Sequence, residues 1–146
     1  LSSLVETHLP GKEYSVGILQ ESITGNLTAM PIEITTKENI NGHCILDFDL
    51  KKNDAEIVTA VTDIKIFRDL EKIAKKSFTA LGGKSFGRID IKMDHLGRGH
   101  FMEANLMPGL RKGYFYRSCK LNLDINYDEM ILNIANTGLT SNIKSH

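Results

Sequence analysis

The stretch FGRIDIKMDHLGRGHFMEANLMPG, residues 86–109, constrains the fold more than any other. Its first arm alternates Ile89, Ile91 and Met93 with Arg88, Asp90 and Lys92. A period of two marks a strand with one face buried. A polar stretch, Asp94 to Gly99, leads to a second arm, His100 to Asn105, which Pro108-Gly109 breaks. The whole reads as a β-hairpin ending in a turn. With Leu96-Gly97 as the two loop residues, Asp90 stands opposite Glu103 and Arg88 opposite Asn105, all on one face. Two carboxylates directly across a ladder repel. A divalent cation between them reverses that sign, and hard cations take carboxylate, amide and phosphate oxygens. The hairpin therefore suggests a Mg²⁺–phosphate platform flanked by Arg88. The same pairing also admits a plainer reading, a wet sheet face whose charges are solvated.

Composition narrows the remaining classes. A chain of 146 residues makes about one domain, with enough apolar content (41%) to bury a core. The formal net charge of +0 lacks the basic excess of a nucleic-acid binder. Cys44 and Cys119 form no CxxC pair, which fits a reduced, cytoplasmic compartment and leaves a single disulfide open. No histidine sits at zinc-ligand spacing. No apolar run reaches transmembrane length. The opening LSSLVETHLPGK has neither the basic start nor the apolar middle of a signal peptide. It also lacks an initiator Met, and reads as a chain that begins inside a larger protein.

Along the chain, Ser3 to Thr7 reads as a strand, hairpinned through Pro10-Gly11 to a second strand at Tyr14 to Leu19. Leu27 to Thr35 is a third strand, in which Pro31 argues for an edge position or a bulge. Thr36 to Asp54 is long and polar, as functional or disordered loops are, and carries Lys51 and Lys52. A lysine on such a loop can close over phosphates as a point charge. It can equally be a solvated loop residue. Ala55 to Val61 is a short strand. Asp63 to Leu81 is the clearest helix, with Ile66, Leu70, Ile73, Ala74 and Phe78 in one apolar stripe. Thr62 or Asp63 caps it, and Gly82-Gly83 stops it. Its stripe must cover Ile89 and Ile91, leaving Arg88, Asp90, Glu103 and Asn105 on the other face of the sheet. LRKGYFYRSCK is a basic-aromatic segment whose Arg111, Lys112 and Arg117 suit a carboxylate or phosphate, or a surface turn. Asn126 to Ala135 is a second helix, capped by Asn126 and ended by Gly138, with a frayed tail. The expected fold class is α+β, a mixed, mostly antiparallel sheet backed by two helices, in one domain over residues 1–146.

Two motifs in this order resemble the ATP-grasp enzymes, and within them the C-terminal part of D-alanine–D-alanine ligase and its relatives. They are E-x-x-L-x-G-x-E at residues 6–13, and R-x-D at 88–90 followed by E-x-N-x-x-P-G at 103–109. The resemblance runs from about Leu4 to Ile134. It implies joining of a carboxylate to an amine through an acyl phosphate, at the expense of ATP and Mg²⁺, with Mn²⁺ as an alternative ion. It implies Asp90, Glu103 and Asn105 as metal ligands. Arg88 would steady the transferring phosphate, and the backbone N–H of Gly109 would donate to the oxyanion. Glu6 and Leu9 would meet the adenine, Glu13 the ribose hydroxyls, and Lys51 the phosphates. It implies that the N-terminal substrate domain and the small ATP-covering lobe are absent from this chain, so that the missing part of the same enzyme is a partner, beside ATP and amino-acid-like substrates. A homodimer is left open, and neither nucleic acid nor membrane is expected.

The sequence also departs from that family. D-alanine ligases carry a Ser/Thr/His-rich segment after the Pro-Gly turn, with a serine at the second-substrate site. Here the text is LRKGYFYRS, and Tyr114 falls at that serine, against D-alanine as the acceptor. Thr7 follows Glu6 where a lysine is common, and Lys52 replaces an aromatic neighbour of the loop lysine. Two other functions compete. One is a non-catalytic nucleotide-binding or assembly module of the same fold. The other is a carboxylase-type ATP-grasp chemistry, which the NLMPG text and the short spacing from Arg88 to Glu103 disfavour.

Overall fold

A computed structural model of the chain describes residues 3, 7–36 and 56–143, with side chains to 139. Five strands form one sheet: β1 (Glu13–Gln20), β2 (Leu27–Thr36), β3 (Glu56–Ala60), β4 (Phe86–Met93) and β5 (Gly99–Asn105). Their order across the sheet is β3-β2-β1-β4-β5, and every neighbouring pair is antiparallel. Three described helices flank it: α1 (Ile64–Ala80), α2 (Tyr114–Leu123) and α3 (Tyr127–Ile143). The α+β class holds. The sheet is antiparallel throughout rather than mixed, and a helix occupies the basic-aromatic segment.

Alternation decides which helix covers which face. On β4, Gly87, Ile89, Ile91 and Met93 are buried while the residues between them are half-buried. The buried set joins Tyr14, Val16 and Ile18 of β1 and the Leu70, Ala74 and Phe78 stripe of α1 in one core. Asp63 caps α1, its Oδ1 accepting from the N–H of Lys65 at 2.9 Å and of Ile66 at 3.0 Å. The Gly83 N–H closes the far end on the Phe78 carbonyl at 2.8 Å. The opposite face carries a second core, in which Leu19 and Met30 meet Phe115, Cys119 and Met130. There α2 comes close to β1: a Cβ on Gly17 would stand 3.0 Å from Ser118 Cβ. Since α2 and α3 cover only part of this face, the rest stays polar.

Several expectations change. Both edges of β1 are taken, by β2 and β4, and most of the strand expected at Ser3–Thr7 lies outside the described residues. Pro31 lies in an interior strand, but the β2–β3 ladder ends beside it at Ile32 and Ala60. Its carbonyl is taken by Asn122 Nδ2 of α2 at 3.1 Å. The missing N–H therefore falls where β2 has no strand neighbour, which is the local equivalent of an edge. Helix α3 runs through Gly138 instead of stopping there. One glycine costs a helix only about 1 kcal/mol. Its start is as expected: Asn126 Oδ1 accepts from Glu129 N–H at 3.0 Å and the Glu129 carboxylate takes Asn126 N–H at 2.7 Å. The long loop with Lys51 and Lys52, and Glu6, lie outside the described residues. No helix among the described residues is long and apolar enough to cross a membrane.

Candidate active site

The hairpin of β4 and β5 puts Asp90 opposite Glu103 and Arg88 opposite Asn105, by a different route from the one expected. The loop holds three residues, not two. Asp94 pairs back to Arg98 through its N–H at 2.9 Å, and Gly97 takes a φ of 75°. The Asp94 side chain determines this turn. Its Oδ1 accepts from Leu96 N–H at 2.8 Å and Arg98 N–H at 3.0 Å. Its Oδ2 lies 2.9 Å from Arg98 Nε and 2.9 Å from His100 Nε2. Those contacts, His100 first, hold its carboxyl well below the usual range. The longer loop shifts the register by one at Ile91↔Phe101, and a bulge at Met102 shifts it back at Asp90↔Glu103. Without the bulge, Glu103 would face the α1 core. The two offsets cancel, which is why simple counting found the right pairs.

On the open face, Arg88 and Asp90 form a fork. Arg88 Nε meets Asp90 Oδ1 at 3.0 Å and Nη2 meets Oδ2 at 3.0 Å. The same Nη2 lies 3.5 Å from Glu103 Oε1. Ser15, across the β1–β4 ladder, donates to Asp90 Oδ1 at 2.7 Å. Asp90 is thus anchored from two sides, while the Glu103 side chain is 68% exposed. Asn105 Oδ1 accepts from Met107 N–H at 3.1 Å, which shapes the turn toward Pro108-Gly109. Glu13, at the start of β1, is held above its ordinary carboxyl range. Burial is the largest cause. Lys92 pulls the other way, and Asp90, Glu56 and Glu103 add to the rise. Excess negative charge on this face is what a cation would relieve.

The donor set fits a hard divalent ion: two carboxylates and one amide oxygen, with no sulfur. Among the described residues no three His, Cys, Asp or Glu side chains are grouped closely enough to hold a metal alone. A metal here would have Asn105 available as a third protein donor, with phosphate or water oxygens left to fill the rest of its shell. A hollow of about 300 Å³ beside the carboxylates is lined by Glu13, Asp90, Lys92 and Glu103. A second, of about 470 Å³, brings Gly109 and Arg88 together with Arg111, Tyr114 and Arg117. Leu9, just ahead of β1, is half-buried.

Sequence reasoning missed Ser15 and Glu56. Tyr114 hydrogen-bonds Glu56 of β3 through its hydroxyl, and its ring lies 5.6 Å from the Arg88 Cζ in a cation–π contact. Burial, then Glu56, pushes the Tyr114 hydroxyl well above its ordinary value. Ser15 had a signal, being two residues from Glu13 and so on the same face. Glu56 had none, lying 58 positions away in the chain.

The chain is similar to known proteins over most of its length. The D-alanine–D-alanine ligase of Buchnera aphidicola is 28% identical over 90% of this chain and 40% of its own length. That of Idiomarina loihiensis is 32% identical over 73% of this chain and 32% of its own. The crystal structure of the Bacillus anthracis D-alanine–D-alanine ligase complexed with ATP superposes with a TM-score of 0.73 at 18% identity. It covers 97% of this chain and 44% of that one, which shows the shared fold. The chain thus spans about 40% of the length of the first of these curated relatives. The family model described as the D-ala D-ala ligase C-terminus matches residues 2–136, and the chain belongs to that family.

Proposed function

We propose that this chain is the C-terminal lobe of an ATP- and Mg²⁺-dependent ligase that joins a carboxylate to an amine through an acyl phosphate. The observation that carries the reading is the fork of Arg88 on Asp90, with the same guanidinium reaching Glu103, on the face that no α1 residue covers. A carboxylate is a poor electrophile because oxide is a poor leaving group. Transfer of the γ-phosphoryl group to it releases ADP and leaves an acyl phosphate. The amine then adds to the acyl carbon, and phosphate departs with the C–O electron pair as the amine loses its proton. Mg²⁺, when bound, supplies charge neutralisation at the phosphate oxygens. Asp90, Glu103 and Asn105 would hold it. Arg88 would stay planar against the transferring phosphate, and the Gly109 N–H would meet the oxyanion of the tetrahedral stage. Glu13 would take the ribose, while Leu9, with Glu6 and Lys51 outside the described residues, would complete the nucleotide site.

Two measurements test this. The chain should bind ATP only when Mg²⁺ is present, read by calorimetry. The protein that carries it, supplied with amino-acid pairs, should release ADP, and Glu103→Gln should abolish that release with the circular dichroism spectrum unchanged. Undiminished turnover by the variant would remove the metal assignment. Mg²⁺-dependent ATP binding without ADP release under any pair would move the conclusion to a nucleotide-binding or assembly lobe.

A further inference from the structure

The two hollows beside the Arg88–Asp90 fork carry opposite charge. Glu13, Asp90 and Glu103, against the cation of Lys92, line one. Arg88, Arg111 and Arg117, with Gly109, Tyr114 and Phe115, line the other, and no carboxylate is among its described lining residues. We propose that this arginine-lined hollow takes an amine substrate bearing two carboxylates, such as an acidic amino acid. The proposal rests on the ligase reading above and names the acceptor class for it.

Charge counting carries the argument. Arg88 is already matched by Asp90 through two parallel bonds, each 3.0 Å. Arg111 and Arg117 form no ion pair among the described residues. A guanidinium presents a planar pair of donors that suits one carboxylate. A substrate with one carboxylate matches one of these arginines and leaves the other facing an aromatic wall. A substrate with two matches both and keeps its amine for the acyl carbon beside Arg88 and Gly109. The wall is stiff, because Tyr114 is tied at its hydroxyl to Glu56 and at its face to Arg88. A volume of about 470 Å³ leaves room for a longer side chain than a methyl group. On the ligase reading above, the nucleotide phosphates would lie toward the carboxylate side of the fork, where Asp90 and Glu103 would hold a cation, and reach Arg88 only at the transferring group. The arginine side is therefore assigned to the substrate carboxylates.

The test is a ¹H–¹⁵N titration of the chain with alanine, aspartate, glutamate (both enantiomers of each) and inorganic phosphate. Aspartate or glutamate should bind at least about tenfold tighter than alanine, a difference of about 1.4 kcal/mol. The shifts should centre on the amides of Gly109, Gly113 and Tyr114. Arg111→Gln and Arg117→Gln should each remove about tenfold of the acidic ligand's affinity and leave alanine nearly unchanged. Lysine at either position should restore part of it. Equal affinity for alanine and the acidic amino acids overturns the proposal. So does phosphate binding tighter than both, which would make the hollow a phosphate site. The ligase reading is read separately, by ADP release. Acidic amino acids that bind while no amino-acid pair supports ADP release remove that reading and leave the site, and acidic amino acids that bind but are passed over as acceptors in favour of another amine remove the proposal. ADP release as fast with alanine as with aspartate removes the proposal and leaves the reading.

Discussion

Replacing Arg88 by Gln tests the charge logic of the open face most directly. The change removes two charge-assisted bonds to Asp90, both 3.0 Å, and the 3.5 Å approach to Glu103. Bonds of this kind net about 1.5–3 kcal/mol each when buried, whereas exposed ion pairs net about 0–1 kcal/mol. Arg88 and Asp90 side chains are 19% and 18% exposed, between those limits, so about 2 kcal/mol for both bonds is a fair discount. Losing the guanidinium also uncovers the Asp90–Glu103 repulsion, about 0.2–1 kcal/mol for a directly opposed pair. The sum is about 2–3 kcal/mol. At about 2–4 °C per kcal/mol for a chain of this size, Tm should fall by about 4–12 °C. Mg²⁺ should then restore stability, by about 2.7 kcal/mol at a hundred times its Kd. Its effect should be larger in the variant than in the parent, because the guanidinium no longer competes for the carboxylates. Scanning calorimetry at matched ionic strength, with and without Mg²⁺, reads all of this. A parent-like Tm refutes the energetic argument. A variant that falls as expected but ignores Mg²⁺ refutes the metal argument alone.

Three further predictions concern the scaffold. A Cβ on Gly87 would stand 2.6 Å from Phe78 Cε2, so Gly87→Ala should cost about 1–3 kcal/mol by overpacking. In a Phe78→Leu background the same change should cost less, and simple additivity in chemical denaturation would contradict the packing account. Asp94 has its carboxyl depressed by His100 and Arg98, so its stabilisation is full above the ordinary carboxylate pKa and is lost as pH falls below it. Asp94→Asn should flatten the acid limb of a stability–pH profile, and an unchanged limb would refute the turn account. The Cys119 thiol is pushed up by burial to about 12, and the Tyr14 hydroxyl by burial and Glu33 to about 12. Both contribute stability that is full below their ordinary values of 9.0 and 10.0 and is lost as pH rises toward 12. Cys119 should resist thiol reagents at neutral pH while folded, and rapid labelling would contradict its burial.

Local pattern was enough for much of the site. The alternation in RIDIKM assigns Arg88 and Asp90 to one face and Ile89 and Ile91 to the other, because strand side chains alternate whatever surrounds them. The stripe of α1 and the Asn126–Glu129 capping pair are equally local, since helix spacing and caps depend on residues three or four apart. The hairpin's pairing was legible only because a three-residue loop and a one-residue bulge cancel. Counting residues cannot reveal that, since the turn depends on where the Asp94 carboxylate points. The LRKGYFYRSCK segment shows the other limit. Its adjacent aromatics fit no clear period, yet Phe115 and Cys119 become core once β1 and β2 present Leu19 and Met30 to them. Tyr114 meets Glu56 across 58 positions, and Ser15 meets Asp90 across 75. Contacts of that span exist only after the sheet has set its strand order, so no window of sequence contains them. Which side chains share a face is a property of the chain's own geometry. Which faces meet, and so which charges are left for a ligand, is decided only when the distant segments pack together.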